Sequence, residues 1–194
     1  MSAALSKGSE LRITDAGGTD LKVRVEGRRY GVSDGIISAE DEKKGPAGLS
    51  AYLPAGEVYV APAPGTAEGR VVRAKDFFDG KEVDNLVMTF SAGRLTSLAG
   101  SGPGFELLKA AYDAAGEGKD VFAAVDFGIN PNIRLPESSP VATWVPAGTV
   151  TVGVGNNVWA GGENRTPYGY FVSLPGTTVT LDGEPVVEAG RLRL

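Results

Sequence analysis

The sequence predicts a strand-rich α+β fold, a single domain over residues 1–194 with one main helix. Three observations lead there. Apolar residues alternate with polar ones over several short runs, the period-two signature of half-buried strands. Glycine and proline, 28 and 12 of 194 residues, punctuate the chain at short intervals, as turns between strands require. A 3.6-residue apolar period occurs clearly in one segment only.

The first strands are read from "SELRITDAGGTDLKVRVEGRRYGV". Leu11 and Ile13 alternate with polar neighbours, Asp15 to Thr19 supplies a turn, and Leu21, Val23 and Val25 alternate with Lys22, Arg24 and Glu26. "SAEDEKKGPAG" reads as a charged surface loop. "YLPAGEVYVAP" then places one acid, Glu57, at the mouth of an apolar strand. A meander follows, with "FFDGKEV" and "FSAGRL" as its two Gly-bearing hairpins. The helix is "GPGFELLKAAYDAAGEG", with Phe105, Leu108, Ala111 and Tyr112 on one face, Pro103 near its start and Gly116 and Gly118 at its exit. Strands resume in "VFAAVDFGI", "ATWVPAGTVTVGVG", "YGYFVSL" and "TTVTLDGEPVVEAGRLRL".

Composition narrows the chemistry. The chain has no cysteine and no histidine. Disulfides, thiolate metal sites, Ser-His-Asp and Cys-His arrangements are therefore absent, and the commonest metal ligand with them. Catalysis would fall to carboxylates, Lys, Tyr or an N-terminal amine. A net charge of −5 without a basic, aromatic-interleaved stripe argues against nucleic acid. No signal peptide or membrane-length apolar run appears, so a cytoplasmic protein without membrane contact is expected.

Five motifs occur in order: "GTDLKVRVEGR", "LPAGEVYVAP", "VDFGINPNI", "GTVTVGVGNNVWAGGENRTPYGYFV" and "TVTLDGEPVVEAGRL". Together they resemble the C-terminal catalytic domain of the thermophilic metallo-aminopeptidases, the aminopeptidase T and aminopeptidase S family. The similarity runs from about Ser9 to the C-terminus, and that family's N-terminal α/β domain has no counterpart in these residues. What the resemblance implies is a two-metal site built from two Glu, two His and an Asp, with an assisting Tyr. Glu57 matches the first Glu ligand, and Asp126 stands where the second belongs. Thr151 occupies a His position, and Val158 occupies that of the Tyr. The last ligand pair falls on Tyr168 and Tyr170 or, one residue on, Gly169 and Phe171.

The resemblance thus leaves two carboxylates and no catalytic residue. The reading that follows is a diverged, non-catalytic aminopeptidase-like module for binding or assembly. The alternative is a metal-dependent peptide or amide hydrolase working through Glu57 and Asp126. No metal or cofactor is expected beyond Mg²⁺ or Ca²⁺ held loosely by those two acids. The remnant ligand site is assigned to Glu57, Asp126, Thr151, Glu163, Asn164, Arg165, Tyr168 and Tyr170, for a small molecule or peptide. A homodimer is implied by the same resemblance. Three alternatives for Glu57 stay open: a ligand role, pairing with Arg134 or Arg165, or bonds from turn N–H groups. Arg165 is expected to fill part of the former metal volume. Trp144 and Trp159 read as core or interface anchors, and Lys109 as a solvated helix residue.

Overall fold

A computed structural model describes residues 1–43, 49, 51–135 and 144–193. Strands dominate it, as the alternation predicts. A short N-terminal helix, α1 (Ser2–Leu5), precedes β1 (Glu10–Thr14), β2 (Asp20–Arg24) and β3 (Tyr30–Ser33). A single helical turn, α2 (Ala39–Glu42), comes next. It sits where a loop is expected, because Ser38 and Asp41 cap it reciprocally. Residues 44–48 and 50 of that expected loop lie outside the described residues.

Then follow β4 (Glu57–Val60), β5 (Glu68–Phe78), β6 (Lys81–Ser91), β7 (Arg94–Ser101), α3 (Pro103–Ala114) and β8 (Phe122–Gly128). The last strands are β9 (Val150–Gly155), β10 (Gly169–Leu174), β11 (Thr178–Leu181), β12 (Glu184–Glu188) and β13 (Arg191–Leu192). Both predicted hairpins close as expected. Asp79-Gly80 and Ala92-Gly93 take positive φ at both turn residues, 50° and 71°, then 49° and 74°, matching the right-handed strand twist.

The strands form two antiparallel sheets. The larger runs β13-β12-β11-β1-β2-β5-β6-β7, and the smaller runs β10-β9-β8-β4-β3. One shared core lies between them. Leu11, Ile13, Leu21 and Val23 fill it from the large sheet, and Val58, Val60, Val125, Phe127, Val152 and Val172 from the small one. Helix α3 packs on β5, β6 and β7 through Leu108, which is fully buried. Pro103 stands at its first turn, where a missing N–H costs nothing. Lys109 lies on its wet side, paired with Asp113 at i,i+4. Among the described residues no helix is long and apolar enough to cross a membrane.

Candidate functional site

Side-chain alternation settles which residues face away from the core. On the small sheet, Val58, Val125, Val152 and Val172 point inward, so their neighbours point outward. Cross-strand pairing then sets Gly31, Tyr59, Asp126, Thr151 and Ser173 in one row on the outer face. The next row holds Ser33, Glu57 and Gly128. Glu57 opens β4 because Gly56, at φ 116°, packs directly against Asn130. The Gly56 N–H donates to Ser33 O at 2.8 Å. Asn130 Nδ2 donates to Ala55 O at 2.7 Å, tying the approach to β4 in place.

An open cavity of about 1000 Å³ lies over this face, with Glu57, Asp126 and Thr151 among its lining. Both acids are more than nine-tenths buried, at 6% and 7% exposure. Glu57 Oε1 and Asp126 Oδ1 have no hydrogen-bond partner among the described residues. Burial pushes the Glu57 carboxyl up to about 7. Burial, followed by the charge of Glu57, pushes Asp126 up to about 8, against the opposing pull of the Phe127 backbone N–H. The Thr151 hydroxyl lies 3.3 Å from that of Ser173.

One wall of the cavity is aromatic. The Tyr59 ring lies over Gly31, where a Cβ would sit 2.1 Å from it, and the Phe171 ring lies over Gly153. Trp159 bridges the two, with ring centroids 5.0 Å from Tyr59 and 5.7 Å from Phe171. A 3-10 turn, Val158–Ala160, presents it, and its indole N–H donates to Asn156 O at 3.0 Å. Trp159 is therefore part of this wall and not a core anchor. Trp144 is also 41% exposed.

The structure separates the remaining expected site residues. Tyr170 borders the cavity, but it pairs with Val154 in the inward row and its hydroxyl donates to Asp76 at 2.6 Å in the core. Tyr168 packs edge-on against Tyr112 of α3. Of the two possible registers for the last ligand pair, Gly169 and Phe171 stand on the cavity side. Asn164 is structural: its Nδ2 donates to Gly118 O and Gly155 O. Glu163 and Asn164 line a second, smaller cavity. Arg165 is exposed and does not enter the acid pair. Arg134 is exposed too, and donates to the Pro131 and Ile133 carbonyls instead. Tyr59, the wall residue the sequence does not single out, carried a signal: it shares the parity of Glu57 along β4.

Comparison with known proteins corrects the family expected above. The chain belongs to the NicX family, described as 2,5-dihydroxypyridine 5,6-dioxygenase, whose profile matches residues 1–194. Among solved structures it is similar to 2,5-dihydroxypyridine dioxygenase from Pseudomonas putida KT2440, with a TM-score of 0.77 and 17% identity. That match covers 99% of this chain and 57% of that one. It is also similar to AmpT from Thermus thermophilus, with a TM-score of 0.71, 20% identity and coverage of 100% and 52%. No curated protein matches.

The aminopeptidase T resemblance holds for the fold. The metallopeptidase assignment is overturned, and with it the non-catalytic module and the peptide hydrolase. The five motifs failed to discriminate because they mark turns and strand mouths of a shared fold. "LDG" is one case: Asp182 and Gly183 take positive φ between β11 and β12, and the Asp182 carboxylate accepts the Ser9 and Glu10 N–H groups.

A recurrent iron site of non-haem oxygenases holds the metal with two imidazoles and one carboxylate. This donor set does not fit. The chain has no His or Cys, and among the described residues no group of three or more His, Cys, Asp or Glu converges.

Proposed function

We propose that this chain is the ring-binding domain of a dioxygenase-like enzyme acting on a small hydroxylated nitrogen heteroaromatic of the 2,5-dihydroxypyridine kind. One observation carries the reading: two buried acids with unpartnered oxygens, Glu57 and Asp126, open into an aromatic-walled cavity. Ring O–H and N–H groups are donors, and orphaned carboxyl oxygens are the acceptors they need. A flat ring stacks against Tyr59, Trp159 and Phe171. Carboxyls held near neutrality can take a ring hydroxyl proton or return it. Family membership and the similar Pseudomonas putida enzyme support the substrate class. The chain spans only 57% of that enzyme, and its own residues bind, orient and exchange protons; no oxygen-activating metal is assigned to them.

Anaerobic calorimetric titration with 2,5-dihydroxypyridine tests this. Saturable one-to-one binding is expected, weakened at least about tenfold (~1.4 kcal/mol) when Asp126→Asn and Glu57→Gln are combined. Absence of binding to the wild-type protein, or binding indifferent to both substitutions, overturns it.

A further inference from the structure

The cavity over the small sheet is one-sided in charge. Asp34, Asp41, Glu57 and Asp126 all border it, and no Lys or Arg is among its described lining residues. Asp34 and Asp41 stand at the rim, engaged with local backbone and Ser38. Glu57 and Asp126 lie deep, each with an unpartnered oxygen. Burial holds the two deep acids largely protonated near pH 7; a cation bound between them favours their ionised form, and the acids of the described lining disfavour anions. An aromatic wall beside the acids adds attraction, since Trp and Tyr faces draw organic cations.

We propose that the ligand of this cavity is a cationic aromatic, a hydroxylated ring bearing a protonated amine or other positive nitrogen, and that ring carboxylates are excluded. The charged nitrogen sits between Glu57 and Asp126, and the ring lies along Tyr59, Trp159 and Phe171. A bare metal ion is the weaker occupant, because it uses the two carboxylates and leaves the aromatic wall without a role. The inference rests on the ring-binding reading and adds the sign of the charge.

Three ligands on one hydroxylated ring, carrying a positive, neutral and negative substituent, test it: 3-hydroxybenzylamine, 3-hydroxybenzyl alcohol and 3-hydroxybenzoate. Each is titrated into the wild-type chain at pH 7, with tryptophan fluorescence as the readout and 2,5-dihydroxypyridine in parallel. The amine is expected to bind at least about tenfold tighter than the alcohol, and the benzoate not at all. The amine's advantage should shrink with added salt and in Glu57→Gln. The salt series on the wild-type protein keeps the test valid if that variant folds poorly. Equal or tighter binding of the alcohol or the benzoate overturns the inference. So does displacement of the amine by Mg²⁺ or Ca²⁺ at comparable concentration, which would make this a metal-ion site. If 2,5-dihydroxypyridine binds and the amine gains nothing, the charge assignment fails while the ring-binding reading stands. If the amine binds and 2,5-dihydroxypyridine does not, the cavity binds a charged ring as inferred, and the dihydroxypyridine substrate class of the proposed function fails. No binding by any of the four overturns both.

Discussion

Asp126 stands directly opposite Tyr59 across the β4–β8 ladder, which places its carboxyl one pleat from that of Glu57 and beside the aromatic wall. Backbone pairing alone brings the two acids and the ring platform to one surface. Their separate positions in the chain, 69 residues apart by number, conceal this.

The acid pair makes stability depend on pH. Both carboxyls have folded values raised above the ordinary range of about 4, to about 7 and about 8. Below about pH 4 both states are protonated and the pair adds no pH-dependent cost. Between about pH 4 and 8 the unfolded chain ionises while the folded one keeps its protons, so stability falls as pH rises. Denaturant melts should show this decline. Asp126→Asn should be less sensitive than the wild type by about 1–3 kcal/mol between pH 5 and 8. Equal slopes would show that Asp126 ionises freely.

Tyr170 joins the two sheets through its 2.6 Å bond to Asp76, and both residues are buried. Burial and Asp76 raise the phenol above its ordinary value, so it stays a donor. Tyr170→Phe should cost about 1–3 kcal/mol, because it strands a buried carboxyl oxygen. It should leave ring binding within about twofold (~0.4 kcal/mol), since the hydroxyl serves the core. A large loss of binding with unchanged stability would return Tyr170 to the site.

Gly31 and Gly153 differ in what a methyl group would meet. At Gly153 a Cβ would lie 2.4 Å from the Tyr170 backbone oxygen, whereas at Gly31 the obstacle is the end of the Tyr59 side chain. Gly153→Ala should destabilise by about 1–3 kcal/mol. Gly31→Ala should cost less stability and displace the Tyr59 ring, weakening ring binding. Thermal melts beside ligand titrations separate the two, and the reverse ranking would contradict the arrangement of the wall.

Arg165 is exposed and makes no ion pair with either deep acid. Arg165→Ala should change stability by no more than about 0.5 kcal/mol. A loss of several times that in a denaturant melt would place the guanidinium in the acid pair after all.

Strand existence was legible because alternation reports burial directly: Leu11, Ile13, Leu21 and Val23 are read as inward and lie at 0–1% exposure. The hairpins were legible from their Gly-bearing turns. Of the candidate cavity's lining, the sequence singles out Glu57, Asp126 and Thr151, where an acid or hydroxyl interrupts an apolar strand, and Tyr170, with Gly169 and Phe171 as one of two registers. The orientation of residues 161–171 was not legible, because a polar loop shows no period. Nothing in "GGENRTPYGYF" tells that Asn164 bridges two loops or that Tyr170 turns inward while Phe171 turns out. The family was misread for a related reason: the motifs record turns of the fold, and turns do not report chemistry.

The outer face of the small sheet is the proposed ligand site. The most direct test is a crystal structure of the protein soaked anaerobically with 2,5-dihydroxypyridine. The ring is expected against Tyr59, Trp159 and Phe171, with its donors on Glu57 and Asp126. A ring bound elsewhere, or this cavity filled by ordered water alone at saturating ligand, would contradict it.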